Sequence, residues 1–184
     1  MHTGPEHERR YRAGADRLRA PDRVALLEVP RVVGRCTEGL SIASVLDVGT
    51  GTGIFAEAFA AAAKRVEGID PNTELLARAR TLVPGVTFIE GTAESLPFAD
   101  ASFDLVFLGH VLHETDRPGD ALSEARRVAR LRVAVLEWPY RDEERGPPLA
   151  HRLEPAAITA LAKAAGFRKI ERLTLSHMEL YRLQ

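Results

Sequence analysis

A glycine-rich turn between a short apolar run and a helix-like segment is the clearest chemical signal in this sequence. Gly49, Gly51 and Gly53 follow Val45–Val48 at alternate positions, and glycine lets the backbone approach a ligand without an intervening Cβ. In an open parallel sheet, ligands bind beyond the carboxyl ends of the strands, where this turn is expected to lie. Asp70 closes the next apolar run, and a carboxylate there accepts hydrogen bonds from both hydroxyls of a ribose. The joint pattern predicts a site for a nucleoside-bearing cofactor.

The glycine spacing separates the classes of cofactor. A dinucleotide fingerprint reads G-x-G-x-x-G and seats a pyrophosphate at the helix N-terminus, but Ile54 stands where the third glycine would be. The lysine of a P-loop is also missing, because Ile54-Phe55 follows the turn. A turn without a phosphate clamp, preceded by Asp47, suits a zwitterionic amino-acid tail whose ammonium needs carbonyl or carboxylate acceptors. An NAD(P)-dependent oxidoreductase is therefore the disfavoured alternative, and a capped turn that binds no ligand is another.

Two histidines and a glutamate follow a later apolar run, Leu105–Leu108. His110 and His113 are spaced i, i+3, which predicts one shared helical face, and Glu114 is predicted to orient an imidazole. A group of this kind acts as a general base where the nucleophile arrives protonated. In the alternative interpretation, His110 packs against the cofactor and His113 makes a local hydrogen bond. We expect no metal here, because neither a His-Glu-x-x-His pattern nor a third ligand accompanies the pair.

Aromatic and basic residues near the predicted fifth strand are candidates for a second wall of the substrate site. Trp138 and Tyr140 are candidates to stack on a planar or cationic acceptor, with a place in the core as the alternative. His151 and Arg152 are candidates to meet an anionic substrate, or else belong to a solvated surface. Tyr11 is a candidate lid residue over the cofactor.

Short apolar runs alternate with amphipathic segments from residue 41 onward, which predicts an α/β protein. Two near-continuous apolar runs follow, at Leu105–Leu108 and Val133–Leu136. Such runs are typical of strands buried on both faces of a parallel sheet, and the segment between them is predicted to be the crossover helix. A further helix is predicted between Pro155 and Gly166, and Lys169–Leu175 and Met178–Leu183 are expected to pair as an antiparallel edge hairpin. The first five segments are predicted as strand, helix, strand, helix and strand at Ser44–Val48, Ile54–Ala63, Arg65–Ile69, Thr73–Val83 and Val86–Ile89.

Length and composition exclude several classes of protein. With 184 residues, 28% of them charged, and a net charge of −1, the chain is expected to form one domain without a bulk-charge tether for nucleic acid. The lone Cys36 excludes a disulfide framework. No signal-like segment or apolar run of membrane-spanning length is found, so a cytoplasmic protein is expected. Residues 1–40 are predicted to form a helical lid or substrate-side extension.

Three segments give the sequence a family resemblance. It resembles the class I S-adenosylmethionine-dependent methyltransferases and, within them, the small members similar to ubiquinone/menaquinone-biosynthesis C-methyltransferases. The segments are Val45–Gly53, Gly68–Asn72, and Glu90–Phe98 leading through Ser102–Val106. The match covers roughly residues 41–138. It implies a Rossmann-like three-layer sandwich with a mostly parallel seven-stranded sheet and an antiparallel C-terminal edge hairpin.

The resemblance also implies which residues meet the cofactor. In the family, the glycine turn holds the methionine moiety, the second-motif acid binds the ribose, and the following segments lie beside adenine. The implied cofactor-binding residues here are Asp47, Gly49, Thr50, Gly51, Gly53, Asp70, Pro71, Thr92, Ala93, Glu94, Gly109 and His110. Thr92 stands where relatives usually have aspartate, so Glu94 or a backbone carbonyl is expected to substitute. The Pro-Gly-Gly turn that usually precedes the fifth strand is replaced by Val128–Arg132, which is expected to shorten that connection.

The resemblance implies methyl transfer from S-adenosyl-L-methionine to a small-molecule acceptor. His113, His110 and Glu114 are the candidate catalytic residues. A non-catalytic module that binds the same cofactor is the alternative from a different functional class.

Overall fold

The computed structural model of the protein describes residues 14–184, and Tyr11, the candidate lid residue, lies outside this range. Within it, the strands are β1 (Ser44–Val48), β2 (Arg65–Asp70), β3 (Thr87–Glu90), β4 (Phe103–Gly109), β5 (Ala129–Glu137), β6 (Ile170–Thr174) and β7 (Glu179–Leu183). The helices are α1 (Ala15–Leu18), α2 (Pro21–Leu26), α3 (Val29–Thr37), α4 (Ile54–Ala60), α5 (Thr73–Leu82), α6 (Pro118–Val128) and α7 (Pro155–Ala164), with a 3-10 turn at Leu149–His151.

The strands of the described residues form one mixed sheet in the order β3-β2-β1-β4-β5-β7-β6. The first five are parallel to their neighbours, and β7 pairs antiparallel with both β5 and β6. The chain leaves β1 toward β2 and β3, then returns to continue on the other side through β4 and β5. The point where the order reverses therefore lies between the carboxyl ends of β1 and β4, which is where open α/β sheets bind ligands.

Alternation along the strands produces the three layers. Leu105 and Phe107 of β4 pack on one face in a cluster with α3, α4 and α5. Val106 and Leu108 pack on the other face against α6 and α7. All four residues are fully buried, because a sheet covered on both faces needs apolar side chains at consecutive positions. The predicted mostly parallel, three-layer α/β fold with its C-terminal edge hairpin is confirmed.

One helix is shorter than predicted, and one connection is shorter than is usual. Helix α4 ends at Ala60, not Ala63, since the amides of Ala62 and Ala63 both donate to the Phe59 carbonyl and close the last turn. Helix α6 passes directly into β5, with Val128 as its last residue and Ala129 as the first of the strand. The missing Pro-Gly-Gly turn thus shortens this connection and leaves the cavity described below untouched.

Residues 14–40, the described part of the predicted N-terminal extension, occupy two different positions. Helix α3 belongs to the core, where Val32 and Cys36 are fully buried and the Arg132 guanidinium donates to the Cys36 carbonyl. Helices α1 and α2 instead lie over the glycine turn. None of the helices formed by residues 14–184 has the length and apolar character needed to cross a bilayer.

Candidate functional site

The glycine turn follows β1 directly and is held against β2. The amides of Gly49 and Thr50 both donate to the Ile69 carbonyl, at 2.8 and 3.1 Å. Gly49, Gly51 and Gly53 all have positive φ, from 54° to 79°, a conformation that glycine adopts without steric cost. A Cβ at Gly49 would lie 2.3 Å from Cγ2 of Val111. The turn is therefore built from positions that require glycine, and its backbone faces a cavity.

Asp70 lies at the end of β2, beside this turn. Its Oδ2 accepts from the Gly51 amide and its Oδ1 from the Asn72 amide, both at 2.8 Å. Burial raises the pKa of Asp70, and the two backbone hydrogen bonds act in the opposite direction. Each carboxylate oxygen offers a second lone pair, so the side chain can accept two further hydrogen bonds from a ligand in the cavity that it lines.

Asp47 lies behind the turn and does not line the cavity. Its Oδ2 accepts from the Thr50 hydroxyl at 2.7 Å and from the Ala56 amide at 3.0 Å. The residue is 2% exposed, and burial raises the pKa of Asp47 to about 7 against these two hydrogen bonds. Asp47 thereby fixes both the turn and the first turn of α4. This placement differs from direct contact with a ligand ammonium, which the sequence favoured.

The cavity at this edge of the sheet has a volume of about 610 Å³, within the range of small-molecule and cofactor sites. We call the lining from the glycine turn, Asp70 and the start of α5 the turn end. The lining from the segment after β4, including His110, Glu114 and Thr115, is the histidine end. No cluster of three potential metal ligands occurs among residues 14–184.

Helices α1 and α2 cover this cavity. Leu18 and Arg23 line it from above, and Leu18 lies close to Gly51. Arg19 anchors the cover, because its guanidinium donates to the Thr52 carbonyl at 2.9 Å and pairs with Glu57 at 2.8 Å. A second ion pair joins Asp16 of α1 to Arg78 of α5. A short helical segment therefore borders the cavity, and the described contacts that hold it are mainly exposed ion pairs.

His113 and Glu137 form a buried pair beside the cavity. Nδ1 of His113 lies 2.7 Å from Oε2 of Glu137, and the His113 amide donates to Oε1 at 3.3 Å. Burial alone lowers the pKa of His113, but the Glu137 carboxylate outweighs it and raises the pKa overall. Glu114 was predicted to orient an imidazole, but its Oε1 is 3.7 Å from Nε2 of His113, beyond hydrogen-bond distance. Glu137, at the end of β5, is the residue that orients this ring.

His110 has a different environment from His113. It has a φ of 62°, and its amide donates to the Leu136 carbonyl at 2.8 Å. The predicted shared helical face is wrong, because the residues between β4 and α6 form no helix and His110 has a left-handed backbone. The two histidine rings nevertheless stand edge to face at 6.4 Å. The His110 ring packs against Trp138 at 5.3 Å. Burial, followed by the charge of Arg23, holds the pKa of His110 well below its ordinary value.

Arg152 is neither a substrate contact nor a solvated surface residue, so both sequence-based interpretations of it are wrong. Its guanidinium is buried and lies 5.6 Å from the centre of the Trp138 ring. It donates to four carbonyl oxygens of the loop after β5, those of Pro139, Arg141, Arg145 and Pro147. Trp138 is 7% exposed and belongs to the core. Neither Trp138 nor Tyr140 lines the cavity.

The structure brings most of the predicted site residues to one cavity. Those that line it are Gly49, Gly51, Asp70, Pro71, Thr92, Ala93, Glu94, Gly109, His110 and Glu114. Asp47, Thr50, Gly53 and His113 lie behind its walls. Sequence reasoning missed Leu18, Arg23 and Thr115, which carry no motif. It also missed the pairing of Glu137 with His113. Glu137 ends β5 and His113 follows β4, and these two strands are parallel neighbours.

Comparison with known proteins gives consistent matches. A family profile described as a methyltransferase domain matches residues 46–133. A demethylmenaquinone methyltransferase of Renibacterium salmoninarum is 40% identical over 98 residues, which cover 52% of this chain and 41% of that protein. An uncharacterized methyltransferase of Mycolicibacterium gilvum is 33% identical over 168 residues, covering 86% of this chain and 60% of that protein. The chain thus spans about two fifths of the Renibacterium relative.

Solved structures match the fold over most of the chain. A SAM-dependent methyltransferase from Aquifex aeolicus superposes with a TM-score of 0.82 at 22% identity, covering 92% of this chain and 95% of that one. At this level of identity the match establishes the architecture.

Proposed function

We propose that this chain, which belongs to the class I S-adenosylmethionine-dependent methyltransferases, transfers a methyl group from S-adenosyl-L-methionine to a small-molecule acceptor. The observation that carries the proposal is the cavity at the switch point of the sheet, with the glycine turn at one wall and Asp70 beside it. The acceptor is proposed to be a small molecule because the cavity is a covered pocket, and not an open basic groove for nucleic acid.

The residues present fit this cofactor. The backbone of Gly49 and Gly51 lines the cavity in a conformation that side chains rarely adopt, which leaves room for a ligand against the turn. The Asp70 carboxylate has acceptor capacity left after its two backbone hydrogen bonds. Ile54 occupies the position of the third glycine of a dinucleotide turn, so the turn lacks the glycine that lets a pyrophosphate approach the helix N-terminus. These features favour a nucleoside with an amino-acid tail.

We assign the cofactor contacts along the cavity from the turn to the start of α5. Gly49, Gly51 and Gly109 would face the amino-acid tail, Asp70 the ribose hydroxyls, and Pro71 with Ala93 the adenine ring. Thr92 and Glu94 line the same wall, and they would offer a hydroxyl and a carboxylate to the adenine edge. Asp47, Thr50 and Gly53 would act indirectly by fixing the turn.

The residues after β4 would serve the acceptor. When bound, the cofactor would supply a methyl group on a sulfonium centre; an acceptor atom would form a bond to the methyl carbon in line as the carbon–sulfur bond breaks, and the neutral thioether would leave. Glu114 lines the cavity, so its carboxylate can take the proton that the acceptor atom loses. His113 lies behind Glu114 with Nε2 3.7 Å from Oε1, and Glu137 holds its Nδ1. We infer that Glu114 and His113 together hold this proton, with Glu137 fixing the ring.

The location of the protein is part of the same proposal. The only cysteine, Cys36, is buried and unpaired, which suits a reducing compartment. We therefore propose a cytoplasmic enzyme.

The proposal is tested by titrating S-adenosylmethionine and S-adenosylhomocysteine into the protein by calorimetry. We expect saturable binding of both, and Asp70→Ala should weaken binding by about 1–3 kcal/mol through the loss of charge-assisted ribose hydrogen bonds. Asp100→Ala is the matched control, because this exposed aspartate pairs with Arg127 away from the cavity. Equal affinity in wild type and Asp70→Ala would contradict the assignment.

Parallel titrations with NAD(H) and NADP(H) separate this function from that of an oxidoreductase. We expect no saturable binding of either dinucleotide. A screen of small hydroxylated, amino and thiol compounds for methyl transfer from labelled cofactor then tests catalysis. Tight cofactor binding with no acceptor methylated would support the non-catalytic module instead.

A further inference from the structure

His110 is a buried polar side chain whose ring nitrogens find no hydrogen-bond partner among residues 14–184. The residue is 9% exposed and lines the cavity. Both ring nitrogens are buried. A buried donor or acceptor left unpaired costs about 1–3 kcal/mol, and such groups in native proteins call for an explanation. The position therefore points to a partner that enters the cavity.

The ring is held firmly in this position. The His110 amide donates to the Leu136 carbonyl of β5, and the residue has a left-handed backbone with a φ of 62°. Behind the ring stands Trp138, which is itself covered by the Arg152 guanidinium. Arg152 is fixed by the carbonyl oxygens of its own loop. Two successive layers of packing thus support a histidine that makes no polar contact through its side chain.

The chemistry of the ring restricts the partner. Burial, followed by the charge of Arg23, holds the pKa of His110 well below its ordinary value, and the neutral imidazole that this favours has one N–H donor and one acceptor nitrogen. A hydroxyl group also both donates and accepts, which makes it the matching partner. His113, the other histidine near the site, is already engaged by Glu137 and is not available for this role.

We propose that His110 recognises the methyl acceptor, and that its imidazole N–H donates a hydrogen bond to the hydroxyl oxygen of an alcohol or phenol. This inference rests on the proposed function and specifies its substrate class. His110 is then a binding residue for the acceptor, whereas Glu114 and His113 receive the proton. The acceptor hydroxyl would sit beside the group that takes its proton, since His110 and Glu114 line the same end of the cavity.

The α1–α2 cover borders the cavity that His110 lines, through Leu18 and Arg23. The described contacts that hold the cover are the Arg19 interactions with Glu57 and Thr52, the Asp16–Arg78 ion pair and the packing of Leu18. Exposed ion pairs each contribute only about 0–1 kcal/mol. Short segments of this kind open at low free-energy cost, so the cover is compatible with ligand binding at His110.

Phenol and toluene form a matched pair of probes, since they differ by a hydroxyl in place of a methyl group. The protein is labelled with 15N-histidine and saturated with S-adenosylhomocysteine, and the ring signals of His110 are assigned by their loss in His110→Phe. We expect a saturable shift of these signals with phenol and none with toluene. His110→Phe should weaken phenol binding about tenfold, equivalent to about 1.4 kcal/mol, with unchanged affinity for S-adenosylhomocysteine.

Two variants guard against misfolding as the cause. Asparagine tolerates a positive φ and carries both a donor and an acceptor, so His110→Asn should retain phenol binding within about threefold. His177→Phe, on the exposed turn before β7, should change nothing.

Three results would overturn the inference. They are equal responses to phenol and toluene, no saturable response to phenol, and a fall in S-adenosylhomocysteine affinity in His110→Phe, which would assign His110 to the cofactor. Failure of S-adenosylhomocysteine to bind the wild-type protein would instead refute the proposed function.

Discussion

The two ends of the cavity differ in where their polar groups find partners. The turn end comprises the glycine turn and Asp70, and the histidine end comprises His110, with His113 behind it. At the turn end, backbone amides pair with a carbonyl or a carboxylate of the adjacent strand, within about one β-α-β unit. At the histidine end, His113 depends on Glu137, 24 residues away in sequence, and the His110 ring has no described partner. One end is completed by local backbone geometry, and the other by distant side chains or by a ligand.

Substitutions at the two ends of the cavity should therefore have different effects. A substitution in the turn should disturb the fold and cofactor binding together, because the same backbone does both. A substitution among the histidine-end side chains should leave cofactor binding intact and alter protonation or acceptor recognition. Three substitutions test this separation.

Gly49→Ala should have the largest effect. The added Cβ would lie 2.3 Å from Val111 Cγ2 at a φ of 67°, so we expect the free energy of unfolding to fall by about 2–4 kcal/mol and cofactor binding to weaken strongly. Denaturant unfolding and calorimetry measure the two quantities.

Gly39→Ala is the matched control for Gly49→Ala, because Gly39 also has a positive φ but a Cβ added there would meet no atom within 4 Å. It should cost only about 1 kcal/mol. Adding Val111→Ala to Gly49→Ala should recover part of the lost stability. A Gly49→Ala protein that is as stable as Gly39→Ala would show that the turn tolerates a side chain.

Glu137→Gln should have an intermediate effect that depends on pH. The pKa of His113 is raised above its ordinary 6.5 in the folded protein, so the folded state binds the proton more tightly. The stabilisation from the pair is therefore complete below about pH 6.5 and is lost as the pH rises through the raised pKa. We expect the variant to lose about 1–3 kcal/mol at about pH 5.5 and less at about pH 9.

Glu90→Gln, at the end of β3 and outside the cavity lining, is the control for Glu137→Gln. The pKa of His113, followed by NMR, should fall in Glu137→Gln and stay the same in the control. Affinity for S-adenosylhomocysteine should not change in either. A loss of cofactor affinity in Glu137→Gln would show that the two ends are not separate.

The contrast between the two ends also explains what could be predicted from sequence. The turn and Asp70 were identified because local spacing carries the relevant signal, and the apolar alternation indicated the sheet around them. Glu137 was not linked to His113, since that pairing depends on β4 and β5 lying side by side. Arg152 was misplaced for a related reason: only the folded loop brings four carbonyl oxygens to its guanidinium.

Arg19→Ala should have the smallest effect, because it acts on the cover that spans both ends. Its ion pair with Glu57 is partly exposed, so we expect a loss of about 1 kcal/mol or less in unfolding free energy. Since the cover bounds the cavity, dissociation of S-adenosylhomocysteine should be faster by about two- to fivefold, measured by stopped-flow displacement. Arg117→Ala, which breaks an exposed ion pair with Asp120 on α6, should leave that rate unchanged. A much larger effect of Arg19→Ala would mean that the turn end, like the histidine end, depends on a distant side chain.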